Sequence, residues 1–160
     1  MLSSHHIKNL PLQDRVFAIT GGASGIGLAT AKLLSDRDAT VCIGDVDPIA
    51  LKATEAYFSS LHASFMVSKV DVSRRREVDL WIETIVKEYR RLDGAANVAG
   101  VIGKVHGISS VADLEDDEWN KIIAVNLTGS MYCMRAELSV IVDRGSIVNV
   151  SSIHGLKGLY

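Results

Sequence analysis

The chain has 160 residues, 48% apolar and 22% charged, enough for one globular domain with a core of its own. A formal net charge of −2 offers no basic field for phosphate backbones or anionic lipid, which argues against nucleic-acid and membrane-surface partners. Two cysteines, Cys42 and Cys133, exclude a disulfide framework and suit a reducing compartment. In chain order, residues 1–11 read as a loose N-terminal tail without a signal sequence, and residues 12–160 as the domain. VFAIT (Val16 to Thr20) predicts a first strand, Ile26 to Leu34 a helix, Thr40 to Gly44 a second strand, and Pro48 to Ser60 a helix with proline in its first turn. Ser64 to Val70 predicts a third strand, and Ser73 is placed to cap a helix that runs to Tyr89. Within that helix, Val78, Trp81, Ile82, Ile85 and Val86 share one face, and Arg74, Arg75 and Arg76 mark its solvated start. Gly94 to Val98 predicts a fourth strand. Asp116, Asp117 and Glu118 then precede a helix from Trp119 to about Val140, where acidic residues favour the N-terminus. Its apolar residues occur nearly all round, so it is expected to be covered on more than one side. Ser146 to Val150 predicts a fifth strand.

Short β-branched runs alternating with helices indicate βαβ units around a parallel sheet, an α/β fold. The longest uncharged run, Val16 to Ala31, is broken by glycines and falls short of the roughly 20 apolar residues of a membrane helix. A soluble, cytoplasmic protein is expected. His5, His6, His62, His106 and His154 stand apart from cysteines and carboxylates at ligand spacing, and no metal is assigned.

The stretch Thr20-Gly21-Gly22-Ala23-Ser24-Gly25-Ile26-Gly27 joins the first strand to the first helix. Backbone N–H groups and the helix dipole there can cradle a pyrophosphate. The alternative is that Gly21 and Gly25 serve only a tight turn and close helix packing. Asp45 closes the second strand eighteen positions after Gly27, where a carboxylate can accept hydrogen bonds from ribose hydroxyls. It would repel a 2′-phosphate, and the glycine loop carries no Lys or Arg to offset this, so NAD is favoured over NADP. Alternatively, Asp45 or Asp47 merely begins the turn into the next helix.

In order, TGGASGIG (20–27), the strand-end Asp45, VDVS (70–73), NVAG (97–100), VNLTG (125–129) and GSIVNVSS (145–152) resemble the short-chain dehydrogenase/reductase family. The resemblance runs from about Leu12 onward. It implies a Rossmann-type, doubly wound parallel sheet and an NAD(P)-dependent oxidoreductase, with hydride transfer between nicotinamide and a secondary alcohol or carbonyl. The cofactor residues it implies are Gly21, Ser24, Gly25, Ile26, Gly27, Asp45, Asp71 at the adenine, Asn97 supporting the loop after the fourth strand, Ala99 and Gly100. The implied catalytic residues are Asn126, ordering a proton-relay water, and Ser152, with Ser151 as its backup. Each has a plainer reading: Asp71 as a turn residue, Asn97 as a loop-start residue, Asn126 as a polar group bonding helix backbone, Ser152 as a strand-end serine. Val98 departs from the second asparagine common in the family motif, and Arg91 stands where the family often has glycine.

The family's acid/base Tyr-x-x-x-Lys lies further along, whereas Tyr160 follows Ser152 by only eight positions. Tyr160 is therefore not expected to be the base. The sheet is expected to be incomplete at its C-terminal side and the chain truncated before that helix. Two functions remain open: an oxidoreductase acting on a small alcohol or ketone, or a catalytically inactive nucleotide-binding module. Self-association into a homo-oligomer is expected from an uncovered sheet edge.

Overall fold

The computed structural model describes residues 12–104 and 110–156. The expected tail, Tyr160, His5, His6 and His106 lie outside the described residues. Among those described, five strands form one sheet: β1 (Val16–Thr20), β2 (Thr40–Asp45), β3 (Phe65–Lys69), β4 (Gly94–Asn97) and β5 (Ser146–Asn149). All pairings are parallel, in the order β3-β2-β1-β4-β5. The chain steps outward from β1 to β3 and then returns to place β4 on the other side of β1. That reversal opens a crevice at the carboxyl ends of β1 and β4, where open α/β sheets hold their ligands.

Alternation along each strand feeds two cores. On one face Ile19, Val41 and Ile43 pack with Ala31 of helix α1 (Gly25–Ser35) and with Leu51 and Phe58 of α2 (Pro48–Ser60). On the other, Val16, Ala18 and Cys42 pack with Val78, Trp81, Ile82 and Ile85 of α3 (Arg75–Tyr89), and with Cys133. Fully burying side chains of this size contributes about 1.5–3 kcal/mol each before ordering entropy is subtracted.

Caps and turns explain where these elements start. Pro48 opens α2, and the Asp47 carboxylate accepts from the Ile49 and Ala50 N–H groups at 2.8 and 3.2 Å. Ser73 does not cap α3, contrary to its reading from sequence. Arg74 holds the capping position without a side-chain hydrogen bond, while the Ser73 hydroxyl donates to Asp71 at 2.6 Å. Two arginines of the triplet pair locally, Arg74 with Asp71 and Glu77, and Arg75 with Asp79. Arg91, the departure from glycine, forks onto the buried Asp93 carboxylate at 2.6 and 2.7 Å. The same carboxylate accepts the Val16 N–H at 2.9 Å, so the pair ties the start of β1 to the approach of β4.

The single long helix expected from Trp119 to Val140 is three segments: α4 (Asp116–Ile123), a π-helical stretch (Ala124–Gly129) and α5 (Ser130–Leu138). Asp116, Asp117 and Glu118 thus form its first turn. The expectation of cover on several sides is also corrected, because Trp119, Leu127 and Leu138 are 54–66% exposed. Only Gly129, Cys133, Ala136 and Glu137 of this run are buried. The run packs on one face of the sheet beside α3, and its opposite flank stays open. β5 forms one edge of the sheet, with Val148 exposed.

Candidate active site

The first turn of α1 follows β1 after the short loop 21–24, and an α-helix leaves its first N–H groups without intrahelical partners. Gly21 has φ +62°, and a Cβ there would stand 2.9 Å from the Ala99 Cα. A Cβ on Gly27 would collide with the Gly21 carbonyl oxygen. These two glycines therefore close the turn and seat α1 against the loop after β1. Gly25 is different: beyond its own turn of chain, no atom of the described residues lies within 4 Å of the Cβ it lacks. Its open side faces a cavity of about 710 Å³ lined by Gly21, Ser24, Gly25, Ile26, Gly27, Asp45, Asp71, Ala99 and Gly100. Nine of the ten candidate cofactor residues meet there. The remaining candidate, Asn97, is buried and does not line the cavity.

Asp45 is fixed at the cavity mouth. Its two oxygens accept from the Ala23 and Asp47 N–H groups, each at 3.1 Å, leaving further lone pairs toward the cavity. Asp71 is held by Ser73 and Arg74. Partial burial pushes its carboxyl up, but the Ser73 hydrogen bonds and the Arg74 guanidinium outweigh this, and the net pKa is below the usual carboxylate value. Valines 46, 70, 72, 98, 101 and 125 supply apolar wall, and Lys121 is the one cation among the described lining residues.

Thr20, Asn97 and Asn149 lie side by side, the last paired residues of β1, β4 and β5. The buried Thr20 hydroxyl accepts from the Val98 and Ala99 N–H groups at 3.1 and 3.2 Å, so Thr20 holds the loop after β4 directly. The Asn97 side chain points instead into the protein. Its Nδ2 donates to Glu137 Oε2 and to Asn149 Oδ1, both at 3.0 Å. Asn126 sits in the π-helical stretch, where widened turns free backbone and side-chain groups for other partners. Its amide exchanges two hydrogen bonds with the Val101 backbone, each 2.8 Å. Ser152 follows β5 in an exposed turn, its carbonyl accepting from the Gly155 N–H at 3.0 Å. Neither Asn126 nor Ser152 lines the cavity, though the loop that Asn126 grips does.

The family model described as short chain dehydrogenase matches residues 15–160. The chain belongs to the short-chain dehydrogenase family. It is 61% identical over 159 residues to the short-chain dehydrogenase/reductase ABA4 of Pyricularia oryzae, covering 99% of this chain and 59% of that protein. Over 155 residues it is 43% identical to chanoclavine-I dehydrogenase ifgE of Penicillium roqueforti, covering 91% of this chain and 59% of that one. Among solved structures, a short chain dehydrogenase from Mycobacterium smegmatis superposes with a TM-score of 0.84 at 32% identity, covering 93% of this chain and 62% of that one. Levodione reductase superposes with a TM-score of 0.83 at 30% identity, covering 92% of this chain and 57% of its own. The chain thus spans about three-fifths of the length of these relatives.

Within this dehydrogenase fold, sequence reading passed over Thr20, Glu137 and Lys121. Thr20 was legible only as the residue before the glycines. Glu137 looks like a surface residue on a mixed helix, yet it is fully buried. Burial pushes its carboxyl up to about 7, against which the Asn97 hydrogen bond acts only partly. Lys121 belongs to a charged first turn and a half of helix, and nothing in its spacing marks it as a cavity residue.

Proposed function

We propose that the chain binds a nicotinamide dinucleotide, NAD in preference to NADP, and serves hydride transfer between the nicotinamide and a secondary alcohol or carbonyl of a small molecule. The observation that carries this reading is the open space beside Gly25, at a helix N-terminus, with the Asp45 carboxylate lining the same cavity. The first-turn amides of Gly25, Ile26 and Gly27 would hold the pyrophosphate, with Ser24 and Gly21 shaping the turn. Asp45 would accept the adenosine ribose hydroxyls, and Asp71 would lie at the adenine. Asn97, through the strand end it ties down, would support the Ala99-Gly100 loop against the nicotinamide half. The dinucleotide, when bound, supplies or accepts the hydride. Ser152, exposed just past β5, would hydrogen-bond the substrate oxygen. Asn126 keeps one amide hydrogen and one lone pair beyond its Val101 bonds, enough to hold a water.

Titration of the purified chain with NADH and NADPH, followed by cofactor fluorescence, tests the reading. Tighter binding of NADH, with the preference reduced in Asp45→Ala, is expected. No uptake of either, or a preference unchanged by Asp45→Ala, overturns it. A second reading, a nucleotide-binding module without catalysis, is favoured by the position of Asn126 and Ser152 off the cavity wall. Cofactor binding without turnover of any alcohol or ketone would select it. Reduced, buried Cys42 and Cys133 accord with a cytoplasmic setting, and no helix among the described residues is long and apolar enough to cross a membrane. Self-association into a homo-oligomer forms part of the same proposal.

A further inference from the structure

At the carboxyl ends of β4 and β5 lies a cluster of polar side chains that neither nucleotide binding nor hydride transfer uses directly. Glu137 of α5 is fully buried, and Asn97 is 4% exposed. One Asn97 nitrogen bridges Glu137 Oε2 to Asn149 Oδ1, and the Asn149 amide in turn reaches the Met134 sulfur on α5 at 3.2 Å. Glu137 Oε1 and Asn97 Oδ1 have no hydrogen-bond partner among the described residues. A buried carboxyl retained among apolar neighbours such as Cys133 and Ala136 is unfavourable unless its hydrogen bonds secure something. What these bonds secure is a place in the fold: the last residues of β4 and β5 and one turn of α5 are joined through a single amide. From those strand ends the chain continues immediately into Val98-Ala99-Gly100 on one side and Val150-Ser151-Ser152 on the other.

We propose that Glu137 is a positioning residue of the dinucleotide cleft, holding through Asn97 both the loop that lines the cavity and the strand end that leads to Ser152. The inference rests on the nucleotide-binding reading above for its consequence, but not for its geometry. Thr20 fixes the same loop from the neighbouring strand β1, while Glu137 holds Asn97 from helix α5. Ionised, the carboxyl is an acceptor only, and its free oxygen shares the buried site with the free Asn97 oxygen. Protonated, it can donate, and burial favours that form.

The test compares Glu137→Gln and Glu137→Leu in the full chain. Glutamine keeps an oxygen for Asn97 Nδ2 and always carries a donor; leucine fills the space without either. Amide hydrogen exchange of the free protein is read at Val98 to Val101 and at Val150 to Ser152, with Val41 to Ile43 of β2 as the internal reference. In Glu137→Leu, exchange at both strand ends is expected to rise about tenfold while the β2 reference holds, and Glu137→Gln restores the wild-type protection. NADH affinity is read alongside and is expected to weaken about tenfold in Glu137→Leu and less than about twofold in Glu137→Gln. Unchanged local exchange in a folded Glu137→Leu protein overturns the inference, as does equal loss in the glutamine variant. If Glu137→Leu does not fold, Asn97→Ala, which removes the amide through which Glu137 acts, replaces it, and unchanged exchange at both strand ends overturns the inference equally. A wild-type chain that takes up no NADH would instead sink the nucleotide-binding reading, leaving the exchange result to judge Glu137.

Discussion

Asn126 and Val101 exchange a pair of hydrogen bonds, Oδ1 accepting from the Val101 N–H and Nδ2 donating to its carbonyl, each at 2.8 Å. An asparagine amide in this pose completes the loop backbone as a neighbouring strand would, and the loop so held forms one wall of the cavity. Asn126→Ala is expected to lower stability by about 1 kcal/mol, since the site is exposed and water replaces part of the bonding. Asn126→Asp is expected to be no better, because a carboxylate oxygen would face the Val101 carbonyl with no proton between them. Thermal melts of both variants check this; wild-type stability in Asn126→Asp would show that the donor arm contributes nothing.

The glycines of the first turn separate fold from binding. Gly27→Ala places a methyl against the Gly21 carbonyl and is expected to destabilise by about 1–3 kcal/mol as α1 is forced off β1. Gly25→Ala meets no atom of the described residues within 4 Å beyond its own turn of chain and bears only the strain of φ +50°, about 1 kcal/mol. Its methyl nevertheless projects into the cavity, so NADH binding should fall by more than about tenfold in a protein that melts near wild type. Retained affinity in Gly25→Ala would mean that this side of the turn is structural only.

The alternation of β-branched runs and helical faces was enough to read the α/β class and the five strands to within a residue or two, because both faces of each inner strand are buried and select apolar residues. Motif order was enough to bring nine candidate residues to one cavity. Periodicity could not reveal the π-helical stretch at Ala124–Gly129, since one widened turn leaves the apolar pattern nearly intact. Nor could it place Glu137: a carboxylate at a helical surface position and one buried over a sheet look alike until the neighbouring element is known. Ser73 was misread as a cap because Asp71 competes for its hydroxyl two residues away, an interaction that depends on the turn geometry.

Glu137 also makes stability depend on pH in an unusual direction. Its pKa is about 7 in the fold against an ordinary 4.5, so between those values the native state keeps a proton that the unfolded chain has released. Stability therefore falls as pH rises from about 4.5 to about 7, by at most about 3 kcal/mol, and is level beyond. Asp71 and Asp93 act in a separate window: their folded pKa values lie below the ordinary one, so their contribution is present above it and is lost as pH falls. Urea unfolding at a series of pH values should show the decline in wild type and lose it in Glu137→Gln. A flat wild-type profile from pH 5 to 7 would mean that the carboxyl stays ionised in the fold.

The last prediction concerns the free side of β5. Among the described residues, Ser146 to Asn149 pair with β4 on one side only, and three of these four residues are exposed. An edge strand presents unpaired N–H and C=O groups that template pairing with another chain unless charge, proline or a bulge blunts it. Here the edge carries Val148 at 56% exposure, followed by Val150 at 44%, and no charged residue lies within the strand. Two such edges can pair across a two-fold axis, each β5 extending the other's sheet. The chain is therefore expected to self-associate, with a sedimentation coefficient that rises with concentration. Val148→Lys places a charge at the centre of the edge and should return the protein to a monomer without lowering its melting temperature, because the wild-type side chain is largely in water. Association undiminished in Val148→Lys would move the contact to the open flank of α4 and α5, where Trp119 and Leu127 are exposed, and a wild-type monomer at every concentration would show that the edge is protected.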